Sequence, residues 1–229
     1  MENNLSEEFL NIPVREPNLL NGFFSDNPKA DVEIVKLFIS DEVLGDILII
    51  KGEPGNGKRH LLQGAANELL KNDIKIVFPS PSPSRLFTIV KNDKDSLEKS
   101  LQDCSFCLID YLDNITEYHP LRTDSPQVFN WLQEILTEFI KRGGRIIFSA
   151  RKEITSKEIS NYFKTDSVIE ANTSYPSLET LKLIGKQHYS NEFVEKYAEE
   201  AYEQSSCVRV FMNRLLISYY SLLKLSNPF

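Results

Sequence analysis

The sequence predicts an α/β domain built on a five-stranded parallel sheet, with a small helical lid after it. Three observations carry this. Short apolar runs alternate with amphipathic helical spacing along most of the chain. A glycine-rich turn of the form G-x-x-x-x-G-K stands between the first run and its helix, at residues 52–58. From Pro176 the alternation stops and only helical periodicity remains. Short buried strands separated by helices require a sheet covered on both faces, the usual setting of parallel strands.

Taken in order, residues 1–22 are polar, are broken by Pro13 and Pro17, and read as an extended arm. Asn27-Pro28 opens a helix through Ile34, Val35, Leu37 and Phe38. Residues 47–50 form a buried strand, followed at once by the glycine-rich turn and by a helix from His60 to about Leu70. A second strand covers 74–78 and ends in a loop marked by Pro79, Pro81 and Pro83. The third strand, 106–109, ends at Asp110. A helix over 128–140 buries Trp131, Leu132, Ile135, Leu136 and Phe139, and Gly143-Gly144 stops it. The fourth strand, 145–148, ends at Ser149, and 167–169 is a weaker fifth. The first strand is expected centrally, beside the fourth. Helices at about 177–189, 191–203 and 206–225 form a tail too short for its own core, so it should pack on the sheet domain. The chain thus divides into an arm (1–22), a base (23–172) and a lid (173–229).

Composition narrows the function. The 229 residues carry a net charge of -7, which disfavours autonomous, strong DNA binding. No basic and apolar leader opens the chain, and no apolar run spans a bilayer, so a cytoplasmic protein without membrane attachment is expected. Three cysteines give no disulfide framework. Cys104 and Cys107 make a C-x-x-C pair, the spacing of a redox turn or half a zinc site. No second pair follows and no turn leads into a helix, so the pair reads as a small apolar strand residue and its neighbour.

The chemistry sits in Gly52-Glu53-Pro54-Gly55-Asn56-Gly57-Lys58-Arg59. This is the P-loop pattern, placed between a strand and a helix as the motif requires. Glycines let the backbone curl so that successive N–H groups face phosphate oxygens, the helix N-terminus adds its dipole, and Lys58 supplies a point charge. His60 follows in the first helical turn. The motif departs at Arg59, where a Ser or Thr hydroxyl would hold Mg²⁺. Arg59 either meets phosphate directly or points away. Asp110, at the tip of the third strand, has the Walker B position and is the one candidate metal ligand. The next residue is Tyr111 rather than a second carboxylate, and a tyrosine is a poor base at neutral pH. Asp113 replaces it only through an unusual turn. Ser149 stands where a γ-phosphate sensor would, or is simply a serine ending a strand.

The stretch from Gly57 to Leu69, GKRHLLQGAANEL, resembles the DnaA/Hda family of AAA+ replication initiation proteins. His60-Leu61-Leu62 after the P-loop lysine is the more specific part. Leu108-Ile109-Asp110 is similar to the family's Walker B segment, and residues 23–27 (FFSDN) to the segment before its base pocket. Ser206-Cys207-Val208-Arg209 resembles its sensor 2 motif, which makes Arg209 a candidate phosphate contact, the alternative being a solvated helix residue. The likeness runs from about residue 20 to 225 and implies an AAA+ base and lid. With the chain ending at Phe229, no DNA-binding domain is expected after the lid. The family's arginine finger, which acts in trans, has Tyr162 in its place, expected near the start of the fifth strand. The apolar arm segment at 8–12 lacks the leading glutamine of the family's clamp-binding peptide.

The resemblance implies a regulator or adaptor of bacterial replication initiation with a degenerate nucleotide site. ATP or ADP would bind, Mg²⁺ poorly, and hydrolysis would be negligible. The implied partners are DnaA, the sliding clamp or the replicative helicase. The competing reading is an active ATPase of the initiator or helicase-loader type, supported by Lys58, Asp110 and Arg209.

Overall fold

The computed structural model describes residues 32–78, 94–110, 126–151, 153–173 and 175–226. The chain order of its elements is α1 (Val32–Ile39), β1 (Ile47–Lys51), α2 (Lys58–Lys71), β2 (Ile76–Val77), α3 (Lys94–Gln102), β3 (Phe106–Ile109), α4 (Pro126–Lys141), β4 (Arg145–Ala150), α5 (Ser156–Phe163), β5 (Val168–Asn172), α6 (Leu178–Lys186), α7 (Asn191–Glu203) and α8 (Val208–Ser226). The arm, residues 23–27, Pro79, Pro81, Pro83, Tyr111 and Asp113 lie outside the described residues.

All five strands are parallel, in the order β2-β3-β4-β1-β5. The first strand is interior and lies beside the fourth, as expected, although β4 takes the middle place. Side chains alternate between faces along each strand, and two cores follow. Ile47, Ile49, Cys107, Ile109, Ile146 and Phe148 meet α3, α4 and α5 on one face. Leu48, Ile50, Leu108 and Ile147 meet α1 and α2 on the other. Burial on both faces is why these strands read as unbroken apolar runs rather than alternating ones.

Two helices of the base, α3 and α5, were not among the expected elements. α3 was not anticipated, because only Leu97 and Leu101 of its nine residues are buried. Tyr162 sits in α5, a helix opened by a reciprocal capping box between Thr155 and Glu158, and packs against the same cluster as Val168 at the start of β5.

Charged groups fasten the ends of the sheet. Arg145 donates to the carbonyls of Gly45 and Val43, and its guanidinium stacks 3.9 Å from the Phe38 ring centroid. At the opposite end Lys51 pairs with Glu170 at 3.1 Å. Glu170 also accepts from the backbone N–H and hydroxyl of Ser156. Burial pushes the Glu170 pKa up, but the hydrogen bonds from Ser156 and Lys51 outweigh it and hold the carboxyl below its ordinary range.

The helical tail, expected to be too short for a core of its own, has one: Leu181, Ile184, Phe193, Val194, Ala198, Ala201, Phe211 and Leu215 pack together where α6, α7 and α8 meet. Ser177 caps α6 and Ser190 caps α7, each accepting from a backbone N–H three residues on.

Candidate functional site

The glycine-rich loop leaves β1 at Lys51 and enters α2 at Lys58. Gly55 and Gly57 have φ of 88° and 85°, left-handed conformations that favour glycine. Gly57 is also the N-cap of α2 and provides no side-chain cap, so the helix N-terminus faces the loop uncapped. Pro54 is exposed at the loop's outer edge, and Asn56 is buried inside it. The Asn56 amide oxygen has no hydrogen-bond partner among the described residues. Lys58 is 6% exposed, and its ammonium donates to the carbonyls of Gly52 at 2.7 Å and Glu53 at 3.0 Å. The loop therefore carries a buried positive charge at its base, beside the positive end of a helix dipole. That combination attracts an anion.

Arg59 does not point away. Its Nε donates to Asp110 Oδ2 at 2.5 Å, linking the first turn of α2 to the end of β3. Asp110 is 2% exposed, and its other oxygen accepts from the Ser149 hydroxyl. Ser149 is not at a strand tip as expected. It lies inside β4, opposite Ile50 of β1, and is fully buried. Its hydroxyl proton goes to Asp110. His60, one residue on, is solvent-accessible. Partial desolvation, and then the charge of Arg59, lower its imidazole pKa below the ordinary value.

A P-loop holds Mg²⁺ through a hydroxyl next to the lysine and through an Asp at a strand end. Here the hydroxyl is replaced by a guanidinium, and that guanidinium occupies the Asp. Each Asp110 oxygen already accepts a hydrogen bond, and a second cation would meet like charge at the same carboxylate.

Two residues close the loop from above, Thr173, which sequence reasoning missed, and Cys207, which it named only as part of the stretch before Arg209. Thr173 follows β5, whose Asn172 is in register with Lys51, so Thr173 falls opposite Gly52. It donates to Lys51 O through N at 2.6 Å and through Oγ1 at 3.1 Å. Any Cβ at Gly52 would collide with it. A polar residue one past the end of a neighbouring parallel strand was the available signal. Cys207 is the second. A Cβ built on Gly55 would lie 2.6 Å from its Sγ and 3.6 Å from the Cβ of Arg209. The start of α8 thus rests directly on the phosphate-type loop, which brings Arg209 to the site.

Tyr162 is brought to no such place. Its ring meets Phe163 edge-on at 4.7 Å, and its carbonyl accepts from Gln133 at 2.5 Å. Burial raises the phenol pKa. Tyr162 is a packing residue between α4 and α5. The cysteine pair also resolves as structure. Cys107 is fully buried in β3 and burial pushes its thiol pKa up, the opposite of an activated thiolate. Cys104 is half-buried outside the strand.

No protein-family model and no curated protein matches the chain. Solved structures do. The structure is similar to AMPPCP-bound DnaA from Aquifex aeolicus with a TM-score of 0.58 and 16% identity. That match covers 81% of this chain and 58% of the Aquifex one. Domain III of the replication initiation protein DnaA from Thermotoga maritima matches with a TM-score of 0.60 and 17% identity, over 86% of this chain and 83% of that one. DnaA bound to AMPPCP and single-stranded DNA matches with a TM-score of 0.58 and 16% identity, over 81% and 59%. The chain therefore has the α/β fold of the DnaA AAA+ domain. It spans less than two thirds of the longer DnaA structures.

Proposed function

We propose that this protein is a DnaA-related regulator or adaptor of replication initiation that binds ATP or ADP and acts by protein contacts rather than by turnover. The observation that carries the reading is the Arg59–Asp110 ion pair. Phosphoryl transfer is catalysed mainly by positioning and by stabilising charge. In this chain the Walker B-like carboxylate neutralises an arginine instead of ordering a metal. Tyr111 follows it in place of a second carboxylate, and the finger position holds the packed Tyr162. Binding has a separate basis. The left-handed glycines, the uncapped α2 and Lys58 remain, and Gly52, Pro54, Gly55, Asn56, Gly57, Lys58, Arg59, His60 and Arg209 form the proposed nucleotide surface, with Asp110 and Ser149 behind it. Two of the similar DnaA structures carry AMPPCP, which supports a nucleotide in this loop. Base and lid divide near residue 173 in this reading, with Cys207 and Arg209 linking them. The net charge of -7 argues against strong DNA binding by this chain alone, and the protein works in the cytoplasm on DnaA, the sliding clamp or the replicative helicase.

The active-ATPase reading is favoured by one observation, the placement of Arg209 beside Gly55. Three measurements on the purified protein separate the two. Phosphate release should be negligible, and a titration with ATP or ADP should show binding that Lys58→Ala removes. Immobilised protein should retain purified DnaA, clamp or helicase. Wild-type hydrolysis that Lys58→Ala abolishes would establish the enzyme reading instead.

A further inference from the structure

We propose that Arg59 is a resident cation standing where P-loop proteins recruit a divalent metal, so that this site takes its nucleotide as the metal-free anion. The proposal rests on the nucleotide-binding reading above and goes beyond it by naming the form of the ligand. The argument is one of charge and place. Arg59 directly follows the loop lysine in the first turn of α2, and its Nε is fixed to Asp110 Oδ2 at 2.5 Å. A metal in a P-loop lies between the strand-end Asp and the phosphates, and this guanidinium is anchored to that same Asp. The anchor is itself buttressed, because Ser149 donates to the other oxygen of Asp110 from the fully buried interior of β4. The Arg59 side chain is 43% exposed while Asp110 is 1% exposed, so the carboxylate is sequestered and the cation faces the solvent side of the loop. A metal ion is recruited and lost with its concentration. An arginine is covalently present and always charged.

A consequence for selectivity follows from solution chemistry. A triphosphate holds Mg²⁺ more tightly than a diphosphate does. In magnesium-containing buffer ATP is therefore withdrawn as its metal complex to a greater extent than ADP, and a site that accepts only the free anion favours ADP. With EDTA present the preference should fall away.

The test is a fluorescence titration with N-methylanthraniloyl ADP and ATP, in EDTA and in excess MgCl₂. The expected result for wild type is binding in EDTA at least as tight as in MgCl₂, with Mg²⁺ weakening ATP more than ADP. Arg59→Thr, which restores the hydroxyl and removes the cation, should bind about tenfold more weakly in EDTA, the loss of one charge-assisted contact. It should recover when Mg²⁺ is added. Arg59→Lys keeps a cation and should keep metal-free binding. The wild-type comparison decides the matter even if Arg59→Thr does not fold. Wild-type binding that requires Mg²⁺ overturns this proposal and leaves the nucleotide-binding reading intact. No binding in either buffer overturns both.

Discussion

Arg59 and Asp110, 51 residues apart in sequence, meet at 2.5 Å with unequal burial: the carboxylate side chain is 1% exposed and the arginine 43%. The inequality sets the direction of a stability experiment. Arg59→Ala leaves the buried Asp110 carboxyl without its cation, held by the Ser149 hydroxyl, whereas Asp110→Asn leaves a guanidinium that rehydrates. We expect Arg59→Ala to cost about 2–3 kcal/mol and Asp110→Asn about 1 kcal/mol, both below the fully buried case because one partner is partly solvated. Urea denaturation measures both. Equal costs, or the reverse order, would mean that the pair does not hold in solution.

The contact between Gly55 and Cys207 predicts how lid and loop are coupled. Gly55→Ala adds a Cβ 2.6 Å from the Cys207 sulfur at a φ of 88°. The left-handed conformation alone costs about 1–2 kcal/mol for a residue with a side chain. The start of α8 should therefore lift. Cys207, 9% exposed in the native protein, should alkylate faster in the variant, while the fully buried Cys107 stays protected. Peptide mapping after iodoacetamide reads both. Unchanged Cys207 reactivity in a folded variant contradicts the packing.

What the sequence revealed and what it concealed follow from the same physics. β1 and β3 were legible because a strand buried on both faces has no choice but an unbroken apolar run, ILII at 47–50 and FCLI at 106–109. The loop was legible because few residues tolerate its backbone. α3 and α5 were not, since each is short and buries only two side chains, Leu97 with Leu101 and Ile159 with Phe163, one i, i+4 pair in a mostly polar segment. The capping box at Thr155 and Glu158 was the overlooked mark of α5. Arg59 was left between two alternatives because its partner is chosen by sheet order. β4 stands between β1 and β3, and this places Ser149 beside Asp110 within reach of α2. Register of that kind is a property of three strands together, and no local window contains it.

Tyr162 predicts that a finger cannot be restored by a single change. Tyr162→Arg replaces a half-buried ring packed edge-on against Phe163 by a guanidinium that has to give up hydration there. We expect a loss of roughly 2 kcal/mol or more and no gain in ATP turnover when the variant is mixed with wild type. Thermal melts and phosphate release test the two halves. A stable variant that stimulates hydrolysis in trans would falsify the packing role.

The lid provides the pH dependence. Glu195 on α7 accepts from Lys186 at 2.5 Å and Lys182 at 2.9 Å on α6. Those hydrogen bonds bring its pKa from 4.5 down to about 2. A carboxyl whose pKa is depressed by folding contributes stability above its unfolded value and loses it as pH falls through the folded one. The contribution should thus be complete above about pH 4.5 and should fade between there and about pH 2. Because the pair is exposed, salt should shrink it as well. Comparing the melting temperatures of wild type and Glu195→Gln isolates the effect from the other carboxylates. The difference should be constant from pH 7 to 5, narrow steadily below that, and be smaller at high ionic strength. A difference that widens on acidification would show that Glu195 is not held by the two lysines.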